Sequence, residues 1–341
     1  MKFLKTFFLS IFSLILVFIV FDWILIVKEQ YRAYPVDLWF HSLKRGSIDD
    51  PLAKIDTNIY PVTINEKEKT VTVSGFPFRY MNLINPTNLS YKIIKSPFAF
   101  DKNKKPIILM GCSFAYGTPL FENETLAYKL QDYSHRKVIN LAYPTEGIQH
   151  VLYKIQHDEE FDKNINDAKY VVYIFMTDHL RRMYSDYFSI FEKNKSLKYK
   201  KTKNGLELVD PDIVTAADWI KTTYTGRKFN DFLYTLKSNN EKFDLLKLYL
   251  EECKKSIESK NPNCKMVVVV YNSSKSYIKN ISSFRTERWK ELEDEGFKVI
   301  NLDKNEYNYL AEREYVANDE LHPSEKAWEK ISHILINELN L

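Results

Sequence analysis

The sequence predicts an α/β domain on a parallel sheet with helices on both faces, preceded by one membrane-spanning helix. Three observations carry that reading. After Asp101, five short apolar runs recur: Pro106–Met110, Val138–Leu141, Tyr170–Met176, Met266–Tyr271 and Phe297–Leu302. Each is a few residues long and rich in Val and Ile, the pattern of a strand buried on both faces. Between them, helix-like periodicity occupies the segments around Thr125–Gln131, Gly147–Ile155, Phe243–Ser259, Ser283–Glu295 and Ser324–Leu339. Such βα alternation builds a parallel sheet. The third observation is the apolar run Phe7–Val27, FFLSIFSLILVFIVFDWILIV.

Lys5 and Lys28 flank that run, and the 22 residues between them make a helical rod of roughly 33 Å, enough for a hydrocarbon core of about 30 Å. Asp22 lies near its far end, and Trp23 suits the interfacial aromatic belt. A cleaved signal peptide is the rival, but the run exceeds a typical apolar region and no small-x-small site follows. Lys2 and Lys5 ahead of the helix favour a cytoplasmic N-terminus. The expected topology is single-pass, with the bulk of the chain periplasmic or extracellular.

The 341 residues leave room for roughly two folded units, or one large α/β unit with additions. With 45% hydrophobic and 28% charged residues, global disorder is excluded. Forty-nine Lys and Arg against 45 Asp and Glu give +4, too weak a field to imply a nucleic-acid partner. The expected division is an anchor at 1–30, a linker and irregular N-terminal subdomain at 31–100, and the α/β domain at 101–341. The N-terminal subdomain mixes short strand-like pieces, such as Thr70–Val73, with turn residues including Gly75, Pro77 and Pro86. A cap-like insertion at about 182–240 interrupts the α/β alternation. Its lysines, Lys193 to Lys203, read as a solvated loop, with anionic glycan or lipid head groups as the alternative. Cys253 and Cys264 are spaced to pair across a short loop, or to stay reduced, and Cys112 stands alone.

Directly after the first core strand comes Gly111-Cys112-Ser113-Phe114-Ala115-Tyr116-Gly117. Catalytic groups in open parallel sheets lie beyond the carboxyl ends of strands, which puts Ser113 where a nucleophile belongs. Of only eight glycines, Gly111, Gly117 and Gly147 fall in one 37-residue window. A chain so sparing with glycine uses it there for tight turns or close approach. Near the other end, Asp319-Glu320-Leu321-His322-Pro323-Ser324 precedes the last helix. Asp-x-x-His lets a carboxylate hold an imidazole whose other nitrogen reaches a serine, so Ser113, Asp319 and His322 form a candidate triad. An α/β-hydrolase elbow ranks below this, because position 115 is Ala rather than Gly. His41, His135, His150, His157 and His333 show no spacing of a metal site, and no cofactor is expected.

These blocks, GCSFAYG and DELHPS, resemble the SGNH/GDSL hydrolase family over roughly residues 105 to 340. The resemblance implies a flavodoxin-like three-layer α/β/α sandwich, with Ser113 attacking an acyl ester, His322 as general base and Asp319 orienting it. It places an oxyanion-hole N–H at Ala142, where the family has Gly. In the third block Asp178 stands in place of the family's Asn, beside Thr177, His179, Arg181 and Arg182. An ionised Asp178 cannot donate a hydrogen bond. The donor is then a protonated Asp178, or Thr177, His179 or an arginine, or the site is silent. The expected function is a serine esterase or O-acyltransferase acting on acyl esters of envelope glycan or lipid. The alternative is a catalytically silent, membrane-anchored binding or assembly protein on the same fold.

Overall fold

In a computed structural model, the described residues are most of 100–341, three strands between 62 and 83, and positions 13, 16, 17 and 20; residues 118–119, 121, 144–145, 185–196, 204, 210–223, 272–285 and 318–321 lie outside them. Strands β1 (Val62–Asn65), β2 (Thr70–Gly75) and β3 (Phe78–Leu83) form an antiparallel sheet in chain order. The sequence reading expected short strand-like pieces, Thr70–Val73 among them, in an otherwise irregular subdomain. Each strand spans only four to six residues, too few for alternation to stand out before pairing.

The main sheet has five strands: β4 (Ile107–Gly111), β5 (Val138–Asn140), β6 (Tyr170–Phe175), β9 (Lys265–Val270) and β10 (Lys298–Asn301). Their order is β5-β4-β6-β9-β10 and every pairing is parallel. Read as first to fifth strand this is 2-1-3-4-5, the flavodoxin-like doubly wound order. The boundaries sit within one residue of the apolar runs, because a strand covered on both faces has no polar position to interrupt it.

Alternate residues feed two cores. Ile108, Met110, Val171, Tyr173, Phe175, Val268 and Val270 join the core under helices α3 (Ile148–His157), α4 (Glu159–Ile165), α7 (Asn239–Lys260) and α8 (Thr286–Asp294). Ile107, Leu109, Val172, Ile174, Val267 and Val269 join the other, under α2 (Leu126–Ser134) and α9 (Glu325–Leu339). The period of two along each strand thus produces the three layers. Trp328 of α9 and Phe243 of α7 are fully buried, one in each core. Capping follows the sequence: Ser238 accepts from Glu241 N–H at the start of α7, and the Glu241 carboxylate accepts from Ser238 N–H at 2.8 Å.

The insertion contributes a hairpin, β7 (Lys198–Thr202) with β8 (Gly205–Val209), and helix α6 (Tyr224–Leu236). Lys200, Lys201 and Lys203 are exposed. Cys112, Cys253 and Cys264 are all free and buried, so the reduced alternative holds for Cys253 and Cys264. Among the described residues no helix is long and apolar enough to cross a membrane. The run Phe7–Val27 lies outside them except at Ser13, Leu16, Val17 and Val20, which are helical and exposed.

Candidate active site

The turn after β4 is shaped by two glycines with positive φ. Gly111 has φ +144, and a Cβ there would meet the Ile174 carbonyl oxygen at 2.9 Å, so the strand can lie against β6 only without a side chain. One short helical turn follows, α1 (Ser113–Tyr116), closed by Gly117 at φ 88 with its N–H donating to the Ser113 and Phe114 carbonyls. Ser113 therefore opens α1 at the carboxyl end of the central strand, while Phe114, Ala115 and Tyr116 point into the core.

His322 arrives from the far end of the chain. The segment before α9 is pinned by a bridge between Val316 and Pro323 and by Ala317 N–H donating to the His322 carbonyl at 2.7 Å. The imidazole lies against the Phe114 ring, centroids 5.3 Å apart. Its Nε2 sits 2.8 Å from Ser113 Oγ. With Nδ1 carrying the proton, Nε2 accepts the serine O–H, the alignment a general base needs. Two residues 209 positions apart in sequence are thus in hydrogen-bond contact. Asp319 lies outside the described residues.

The flanks of the serine turn come from the loops after β5 and β6. On one side, Tyr143 N–H donates to the Gly111 carbonyl at 3.2 Å. The buried Asn140 donates through Nδ2 to the Ala115 carbonyl at 3.0 Å and accepts Ala142 N–H at 3.1 Å. The N–H expected to serve the oxyanion is therefore bonded to Asn140 Oδ1. On the other side, Cys112 Sγ is 3.5 Å from Met176 Sδ, and burial raises the Cys112 thiol against the opposing pull of Arg182, which keeps it neutral.

Thr177 is buried at the start of helix α5 (Asp178–Arg182). Asp178 accepts from Arg181 Nε at 2.7 Å, from Arg181 Nη2 at 3.2 Å and from Arg182 Nε at 2.7 Å. Burial pushes its carboxyl up, but the Arg182 and Arg181 guanidiniums and their hydrogen bonds more than reverse this, to about 2. Of the alternatives the sequence left open, this speaks against a protonated Asp178: two arginines hold it as a carboxylate, which donates nothing. His179 is held in the core by Tyr173. Its ring is fully buried against Phe175, with Nδ1 2.6 Å from Tyr173 Oη, and burial pushes its imidazole well below the usual range.

Sequence reasoning passed over Lys154, Glu146 and Gln149, which help join these flanks. Lys154 of α3 forms a buried ion pair with Glu146 (2.7 Å) and donates to the Leu141 carbonyl at 2.8 Å. Arg182 donates from Nη1 to the Glu146 carbonyl at 2.8 Å, and Gln149 Nε2 donates to the Arg182 carbonyl at 2.8 Å. Gly147 opens α3, and a Cβ there would meet Arg182 Cβ at 3.0 Å. Its N–H donates to His150 Nδ1 at 3.1 Å, whose imidazole is lowered to about 3 by burial and by Lys154 and Arg182. The available signal was a lone lysine on the apolar face of a predicted helix, which simple periodicity reads as noise.

No family model matches the chain, and no curated relative does. Among solved structures, the chain is similar to the lipase Lip_vut3 from a goat rumen metagenome at 17% identity and a TM-score of 0.42, over 69% of this chain and 97% of that one. It is similar to a member of the lipolytic protein G-D-S-L family from Veillonella parvula DSM 2008 at 10% identity and a TM-score of 0.41, over 68% and 96%. A Clostridium thermocellum family 3 carbohydrate esterase gives 12% identity and 0.38, over 68% and 93%. The strand order is that of a doubly wound α/β fold, with a serine turn after the first core strand facing a histidine before the last helix.

Proposed function

We propose that the chain is a serine esterase or O-acyltransferase of the SGNH type. The observation that carries this reading is the 2.8 Å contact between Ser113 Oγ and His322 Nε2. In this scheme His322 takes the serine proton as Oγ attacks the acyl carbonyl, and Asp319 orients the ring. The tetrahedral intermediate collapses to an acyl-serine with the protonated His322 returning its proton to the leaving alcohol. Water or a sugar hydroxyl, deprotonated by His322, then takes the acyl group. Ser113 N–H and Ala142 N–H serve the acyl oxygen, Ala142 by sharing or exchanging its bond to Asn140 Oδ1. Thr177 and Arg181, which follow β6, the neighbour of β4, are the further candidates to contact substrate in this reading. The apolar run Phe7–Val27 supports an anchored chain facing outward, with envelope glycan or lipid esters as substrates.

The test is acylation by a fluorophosphonate probe together with hydrolysis of a short-chain aryl ester. Wild type should label and turn over, and Ser113→Ala should do neither while unfolding at the same temperature, because one hydroxyl at a turn adds little to the core. Equal turnover by both proteins would sink the reading. Added protease should remove the domain from intact cells or spheroplasts if the anchor reading holds. One observation favours the silent binding protein instead: Asp178 is a carboxylate where an amide donor was expected. Absence of probe labelling in wild type would establish that alternative.

A further inference from the structure

Four buried charges span the gap between the two flanks of the serine turn. Side-chain exposures are 11% for Asp178, 9% for Arg182, 8% for Glu146 and 11% for Lys154. Asp178 bonds Arg182, Arg182 bonds the Glu146 carbonyl, the Glu146 carboxylate bonds Lys154, and Lys154 bonds the Leu141 carbonyl. The chain runs from the first turn after β6 to the first residue after β5. It ends on the peptide group whose N–H belongs to Ala142, and that group is held from both sides, by Lys154 on its oxygen and by Asn140 on its N–H.

Burying four charges is costly, and an apolar filling of the same volume is often as stable or more so. The arrangement does what an apolar core cannot: it fixes distance and orientation through directed, charge-assisted bonds. A charged donor on the Leu141 carbonyl also polarises that peptide and strengthens its N–H as a donor. Resting on the esterase reading above, we infer that Lys154 and Arg182 are positioning residues, which hold Leu141–Ala142 and Glu146–Gly147 against the segment 177–182 at the width and peptide orientation needed by the acyl oxygen on Ser113. Both act through backbone: Lys154 through the Leu141–Ala142 peptide, and Arg182 through the Glu146 carbonyl and its close packing against Gly147.

The experiment uses the full chain and begins with wild type, whose labelling and turnover decide the esterase reading separately. The informative variant is the double replacement Glu146→Leu with Lys154→Met, which removes both members of the ion pair and leaves no unpaired buried charge. Its kcat, divided by the number of probe-reactive serines, should fall by about 10-fold to 100-fold, as expected for a misplaced site group. KM should stay within about 3-fold, because ground-state contacts are untouched. Lys154→Arg, which keeps a charged donor, should recover part of the rate. Lys154→Gln, a milder change with a neutral donor, supplies the measurement if the double variant does not fold, and its kcat should also fall. A folded double variant or Lys154→Gln variant with wild-type kcat would overturn the inference, as would losses confined to KM or to the melting temperature.

Discussion

Replacing Asp178 by Asn tests the electrostatics beside the serine turn. In the folded chain the carboxyl is lowered from 3.8 to about 2, with burial opposing and the two arginines prevailing. At about 1.4 kcal/mol for each tenfold in proton affinity, this fall stabilises the ionised fold by about 2 kcal/mol. The sign is that of a depressed acid: the contribution is complete above about pH 4 and is lost as pH falls through about 2. Asp178→Asn keeps the shape and one acceptor but removes the charge, leaving the buried Arg182 without its counter-ion. Urea unfolding followed by fluorescence of the buried Trp289 and Trp328 should show the variant less stable by about 2 kcal/mol at pH 7. The gap between the two proteins should close between pH 4 and pH 2, other carboxylates cancelling in the difference. Parallel stability curves over that window would refute the ionised pair. A rise in ester hydrolysis on Asp178→Asn would show that an amide donor had been lacking and that the carboxylate's hold on the arginines was dispensable for catalysis.

Gly111→Ala should cost at least about 2 kcal/mol, since φ +144 is a glycine conformation and the added Cβ would lie 2.9 Å from the Ile174 carbonyl. A melting temperature within a degree of wild type would contradict that packing. With Cys112, Cys253 and Cys264 all free and buried, a thiol reagent should titrate three groups only after denaturation, and a reductant should leave the melting temperature unchanged. One reactive thiol in the unfolded, unreduced chain would instead reveal a disulfide.

What the sequence by itself determined was the architecture and two of its chemical residues. Strands such as Tyr170–Phe175 are legible because a parallel strand buried on both faces must be apolar at every position, whatever its partners. Ser113 and His322 are legible because each stands in a short local block, one after a strand and one before a helix. Only the tertiary structure decided the state of their surroundings. Whether Asp178 is protonated depends on Arg181 and Arg182 folding back onto it in one helical turn. Whether Ala142 N–H is spoken for depends on Asn140, whose side chain is fixed in turn by Ala115 of another element. Lys154 looked like a helix residue among many, and its partner Glu146 like a loop residue. Their pairing arises because burial at that junction admits a charge only when an opposite one meets it, a condition set by three elements converging rather than by any spacing along the chain.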